Sequence, residues 1–170
     1  MVYSAVIELK TLDVVILCVL SCAVFRSSEM ASGLGIAFCG NNLHVSSVVL
    51  HAEVSQPADV EKCLQRLGSA GTPRRGKSIG LMFACVGRGH RFYNGTVGVE
   101  SSIFKRLYPG VPLFGFFGNG EIGYNFPLST DSRRASEDME AGRGDDGDGT
   151  FMPQIYHSFT TIFVLMRFDS

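Results

Sequence analysis

The sequence predicts an α+β fold, a mixed and largely antiparallel sheet with two amphipathic helices in the order ββαβαβββ. Three observations carry this. Several β-rich runs follow one another with only turn chemistry between them, two segments alone show helical spacing, and 170 residues at 45% hydrophobic and 18% charged supply one buried core. The expected layout is a weakly patterned N-terminal segment, 1–31, then one domain over 32–168. A disordered acidic insertion at about 129–152 interrupts that domain.

In the N-terminal segment, Val14 to Phe25 reads VVILCVLSCAVF. It falls short of the roughly 20 apolar residues a membrane crossing needs. Glu8 and Asp13 stand where a secretory leader prefers basic residues, although Ser21-Cys22-Ala23 has the small-residue character of a cleavage site. A buried strand is therefore expected, with export as the competing reading. The Asn94-Gly95-Thr96 sequon is expected to be only a turn.

Leu34 to Phe38 and Val45 to Val54 are β-rich and flank Cys39-Gly40-Asn41-Asn42, which predicts a hairpin. Val60, Cys63, Leu64 and Leu67 then fall at i, i+3, i+4 and i+7, with Pro57 in the first turn and Gly68 at the end. This is the first helix. Ile79 to Val86 is apolar on both faces and predicts an interior strand, closed by Gly87-Arg88-Gly89. Val99, Ile103, Phe104 and Leu107 mark the second helix, stopped by Pro109-Gly110.

Pro112 to Phe117 reads as a strand leading into Gly118-Asn119-Gly120-Glu121-Ile122-Gly123, which matches the letters of a dinucleotide fingerprint. Such a site needs a helix after the glycines, aimed at a pyrophosphate. Tyr124-Asn125-Phe126-Pro127 has no helical spacing, and Glu121 would repel phosphate. The glycines instead predict a hairpin whose Asn119-Gly120 turn has positive φ at both centres. Ile155 to Phe168 closes the chain as a long strand or a pair of strands.

Between these strands, Ser129 to Phe151 carries seven acids, three arginines and four glycines, with almost nothing to bury. Arg133-Arg134-Ala135-Ser136 makes Ser136 a possible phosphorylation site for a basophilic kinase. A net charge of −1 provides no footprint for nucleic acid. Five cysteines without a C-x-x-C pair point to reduced, cytosolic usage. The four histidines and the cysteines show no metal-ligand spacing, and no cofactor is expected.

The residues with chemical potential gather at predicted strand ends. Cys85 ends the interior strand beside Arg88, and a nearby cation raises a thiol's thiolate fraction, whereas burial makes it inert. Glu121, amid Phe114, Phe116, Phe117 and Ile122, must be exposed on a turn or paired inside, and Arg88 is its expected partner. With Asn119 and His157, these residues form a candidate ligand- or substrate-binding rim. Gly87, Gly89, Gly118, Gly120 and Gly123 are read as its structural turns. Residue types alone would allow Cys85, His157 and Glu121 as a nucleophilic triad, but no nucleophile elbow or protease signature surrounds Cys85, and a non-enzyme is expected.

FACVGRG at Phe83 to Gly89, VPLFGFFGNGEIG at Val111 to Gly123 and HSFTTI at His157 to Ile162 together resemble the C-terminal FIST domain, over about Ser32 to Arg167. The resemblance implies a substrate-recruiting module related to SCF-type ubiquitin ligases, acting in ubiquitin-dependent degradation in the cytoplasm or nucleus. Protein substrates would be its partners. Skp1 and cullin would be reached only indirectly, because no F-box-like segment precedes Gly33. The alternative the family implies is a sensory domain for small, amino-acid-like ligands in signal transduction.

Overall fold

The computed structural model describes residues 2–9, 14–21, 33–40, 42–70, 76–126 and 155–169. The expected acidic insertion, with Ser136, lies outside the described residues. The elements in order are β1 (Val2–Leu9), β2 (Val14–Ser21), β3 (Gly33–Cys39), β4 (Leu43–Leu50), α1 (Pro57–Gln65), β5 (Gly76–Cys85), α2 (Val99–Leu107), β6 (Leu113–Gly118), β7 (Glu121–Ile122), β8 (Tyr156–His157) and β9 (Thr161–Asp169). Short 3₁₀ turns follow α1 at Arg66–Ala70 and β5 at Val86–Arg88.

The α+β class holds, but the strands divide into two sheets. One has the order β3-β2-β1-β7-β8 and the other β4-β9-β5-β6. Among the described residues, parallel pairing occurs once in each, between β1 and β7 and between β5 and β6, and the other strand pairings are antiparallel. Val14–Ser21 is the expected strand, and its partner β1 is a strand the sequence reading did not foresee.

Two expected hairpins are corrected by this division. β3 pairs with β2 and β4 pairs with β9, so the Gly40–Leu43 turn passes the chain between sheets. Likewise β6 pairs with β5, whereas β7 pairs with β1 and β8. Turn residues report that the chain changes direction, not that its two arms hydrogen-bond. Only Gly120 of the Asn119-Gly120 pair has positive φ, 95°, so the two-residue turn expected there does not form.

Both expected helices are present and cover one face of the four-stranded sheet. Val60, Leu64 and Leu67 from the α1 side and Ile103 and Phe104 from α2 bury against Val48, Leu50, Phe163 and Leu165. Phe104 and Phe163 stack with ring centroids 5.6 Å apart. Gly80 makes room, since a Cβ there would lie 2.4 Å from the Phe104 ring. The opposite face buries Val45, Val49, Leu81, Phe83, Ile162, Val164 and Met166, with Phe38 packed against them. The two-residue period of β9 sends Phe163 and Leu165 to one core and Ile162, Val164 and Met166 to the other. β5 is thus the interior strand its sequence predicts.

Candidate functional site

The ends of β5, β7 and β9 bring two buried carboxylates near the predicted rim, each in a different setting. The first is Glu100, in the opening turn of α2 and 3% exposed. It precedes Ile103, Phe104 and Leu107 by three, four and seven residues, so helical geometry puts it on the buried stripe. There it meets Arg88, which the 3₁₀ turn after β5 directs inward until it is 2% exposed.

Arg88 organises the surrounding loops. Its Nε donates to Glu100 Oε1 at 2.9 Å, and its Nη2 forms the ion pair with the same oxygen at 2.7 Å. Other N–H groups donate to the carbonyls of His51, Val54 and Phe159 and to the Tyr93 hydroxyl. The Phe92 ring lies 4.4 Å from the guanidinium carbon. The Tyr93 hydroxyl donates in turn to Glu100 Oε1 at 2.5 Å. Burial, followed by the neighbouring Glu100, pushes the Tyr93 phenol well above its usual range.

The expected Arg88–Glu121 pairing is therefore wrong. Arg88 is committed to Glu100, which the first turn of α2 brings to within 2.7 Å of the guanidinium. Glu121 is 1% exposed and has a hydroxyl and an amide in place of a cation. Its Oε2 accepts from Thr160 Oγ1 at 2.9 Å and from Thr160 N at 3.3 Å, while Oε1 has no hydrogen-bond partner. Burial raises its pKa above the carboxylate value. Thr160, the Gly120 N–H and the Cys85 thiol oppose that rise.

Cys85, Glu121 and Thr160 thus come together where the sheets meet. Cys85 is buried, and its backbone N–H donates to the Thr160 carbonyl at 2.9 Å. His157 lies opposite Glu121 in the β7–β8 ladder. Its Nε2 is 2.8 Å from the Gly123 carbonyl and its ring is edge-on to His51, at 5.5 Å between centroids. Asn119 is exposed in the bend between β6 and β7. Gly87 and Gly123 leave room for neighbours: a Cβ on either would fall 2.8 Å from Phe159 or Ile162.

Two of the rim residues border described cavities. Arg88 borders a cavity of about 300 Å³ between α2 and β6, and His157 borders a separate open cleft with His51 and Glu53. Glu100, Tyr93 and Thr160 were missed in the sequence. Glu100 could have been found, since a carboxylate at i, i+3, i+4 and i+7 with apolar residues needs an interior partner.

Among the described residues, no three His, Cys, Asp or Glu side chains gather to hold a metal, and no helix is long and apolar enough to cross a membrane.

Comparison with known proteins matches the FIST C domain family to residues 32–124. F-box only protein 22 of Homo sapiens and of Pongo abelii are each 40% identical to the chain over 147 residues, covering 82% of this chain and 32% of theirs. The chain thus spans about a third of those relatives' length. An uncharacterized protein of Mycobacterium tuberculosis is 48% identical over 44 residues, 26% of this chain and 11% of its own.

Proposed function

The chain belongs to the FIST C domain family, and from that premise we propose that it is a non-catalytic, substrate-binding domain related to the receptor of an SCF-type ubiquitin ligase. The observation carrying this reading is the 40% identity to F-box only protein 22 across 82% of the chain. Exposed aromatic and aliphatic side chains support it. Phe114, Phe117 and Val97 stand at the surface around one strand, and protein interfaces concentrate anchors of this kind.

On this reading the domain holds protein clients for ubiquitin-dependent degradation in the cytoplasm or nucleus. The buried Arg88–Glu100–Tyr93 cluster fixes the loops that frame the binding surface and performs no chemistry. The second reading, a sensor for small, amino-acid-like ligands that uses Cys85, Arg88, Asn119, Glu121 and His157, is favoured by no comparison and stays the alternative.

Proximity labelling with this chain as bait tests the proposal. The expected result is a reproducible client set whose members accumulate when the proteasome is inhibited. Labelled proteins whose abundance ignores both the bait and the proteasome would count against it.

A further inference from the structure

Asparagine followed by glycine occurs twice in the chain, at Asn94-Gly95 and Asn119-Gly120, and both asparagines are exposed in bends or turns. Glycine has no Cβ to shield its nitrogen, so in such a pair that nitrogen can attack the preceding side-chain carbonyl. The attack requires the amide proton to leave. What accepts that proton therefore decides which pair reacts.

The two glycine N–H groups meet different acceptors. That of Gly95 donates to the His90 carbonyl at 2.7 Å, in a turn where Asn94 has a φ of 51°. A peptide carbonyl accepts a hydrogen bond but is far too weak a base to take the proton, so this bond holds the nitrogen unreactive. The N–H of Gly120 instead points at the Glu121 side chain, whose anionic form it favours. A carboxylate is a base, and burial strengthens it by raising its pKa. Thr160 holds Oε2 in place at 2.9 Å, while Oε1 keeps lone pairs with no other hydrogen bond on them.

We propose that Asn119 is a self-modification site, converted to aspartate and isoaspartate with Glu121 as the base. The Gly120 nitrogen bonds to Cγ of Asn119 as its proton passes to the Glu121 carboxylate. The Cγ–Nδ2 bond then breaks, Glu121 returns the proton to the departing nitrogen, and ammonia leaves behind a five-membered imide. Solvent water opens either imide carbonyl, giving aspartate or isoaspartate with no oxidant or reductant. The product sets a new negative charge beside Glu121, and its isoaspartate form adds a carbon to the backbone between β6 and β7. Those strands belong to different sheets, so the change loosens the Glu121–Thr160 connection between them. The inference stands apart from the client-recruiting reading.

The test is to age the full chain at neutral pH and follow both pairs by peptide mass spectrometry, with fragmentation that separates isoaspartate from aspartate. In the folded chain Asn119 should convert about tenfold faster than Asn94, because Gly120 meets a base and Gly95 a carbonyl. In urea, where neither glycine N–H keeps its acceptor, the two rates should be equal. Glu121→Gln is nearly isosteric and should slow Asn119 about tenfold while leaving Asn94 unchanged. Converted chain, separated by anion exchange, should melt about 2–4 °C lower. Equal rates in the folded chain, faster conversion at Asn94, or the same ratio in urea would overturn the site. An Asn119 rate that ignores Glu121→Gln overturns the base, and an unchanged melting temperature overturns the loosening. Should Glu121→Gln fail to fold, the comparison of folded chain with urea still decides the site.

Discussion

Glu100 and Glu121 are both almost fully buried, yet one has a guanidinium against it and the other meets Thr160, the Gly120 N–H and the Cys85 thiol. The difference lies in what each anchors. Around Glu100, Arg88 collects three carbonyls from two loops, so the ion pair belongs to a network in which removing one member strands the others. Around Glu121, the carboxylate joins β7 of one sheet to the start of β9 in the other, and burial favours its protonated form. One buried acid is held by charge pairing, the other by hydrogen bonding.

The sharpest way to break this contrast is Arg88→Met. It leaves Glu100 buried without its cation, and about 3–5 kcal/mol of stability should be lost in urea unfolding. A loss of about 1 kcal/mol or less would mean that the pair contributes no more than the Thr160 hydroxyl does at Glu121. Tyr93→Phe removes the hydroxyl between Arg88 and Glu100 and is expected to cost about 1–3 kcal/mol by the same measurement.

Glu121→Gln addresses the other side through pH. A carboxyl whose pKa is raised on folding binds its proton more tightly in the folded chain. Its stabilising contribution is complete below the ordinary value of 4.5 and is lost as pH climbs through the raised value. Wild-type stability should therefore fall across that window, and the glutamine variant should show a flatter profile. Identical profiles at pH 4 and pH 8 would remove burial as the controlling influence. Thr160→Val should have the smallest effect, about 1 kcal/mol, while moving the wild-type window to higher pH by deleting a donor that opposes the rise.

Much of the architecture was legible because local patterns report it directly. The apolar stripes of α1 and α2 and the two-faced hydrophobicity of β5 depend on neighbours a few residues away. Strand partnership was not legible. Cys39-Gly40-Asn41-Asn42 and Asn119-Gly120 look like hairpin turns, yet each joins strands of different sheets. At the site, the sequence brought Cys85 and Glu121 into one neighbourhood, and the fold places them there. Arg88 was assigned to the wrong acid because Glu100 and Glu121, twelve and thirty-three residues further on, cannot be ranked from spacing alone.

What the sequence by itself determined is therefore composition-level and periodic: an α+β chain, two helices, an interior strand and a glycine-rich bend mistaken for a nucleotide loop only when its flanks are ignored. Tertiary structure decided which sheet each strand joined, that Arg88 faces Glu100, and that among the described residues β6 is an edge. Periodicity fixes which face of an element is apolar, but long-range packing selects the element that covers it, and a buried charge takes whichever partner that packing delivers.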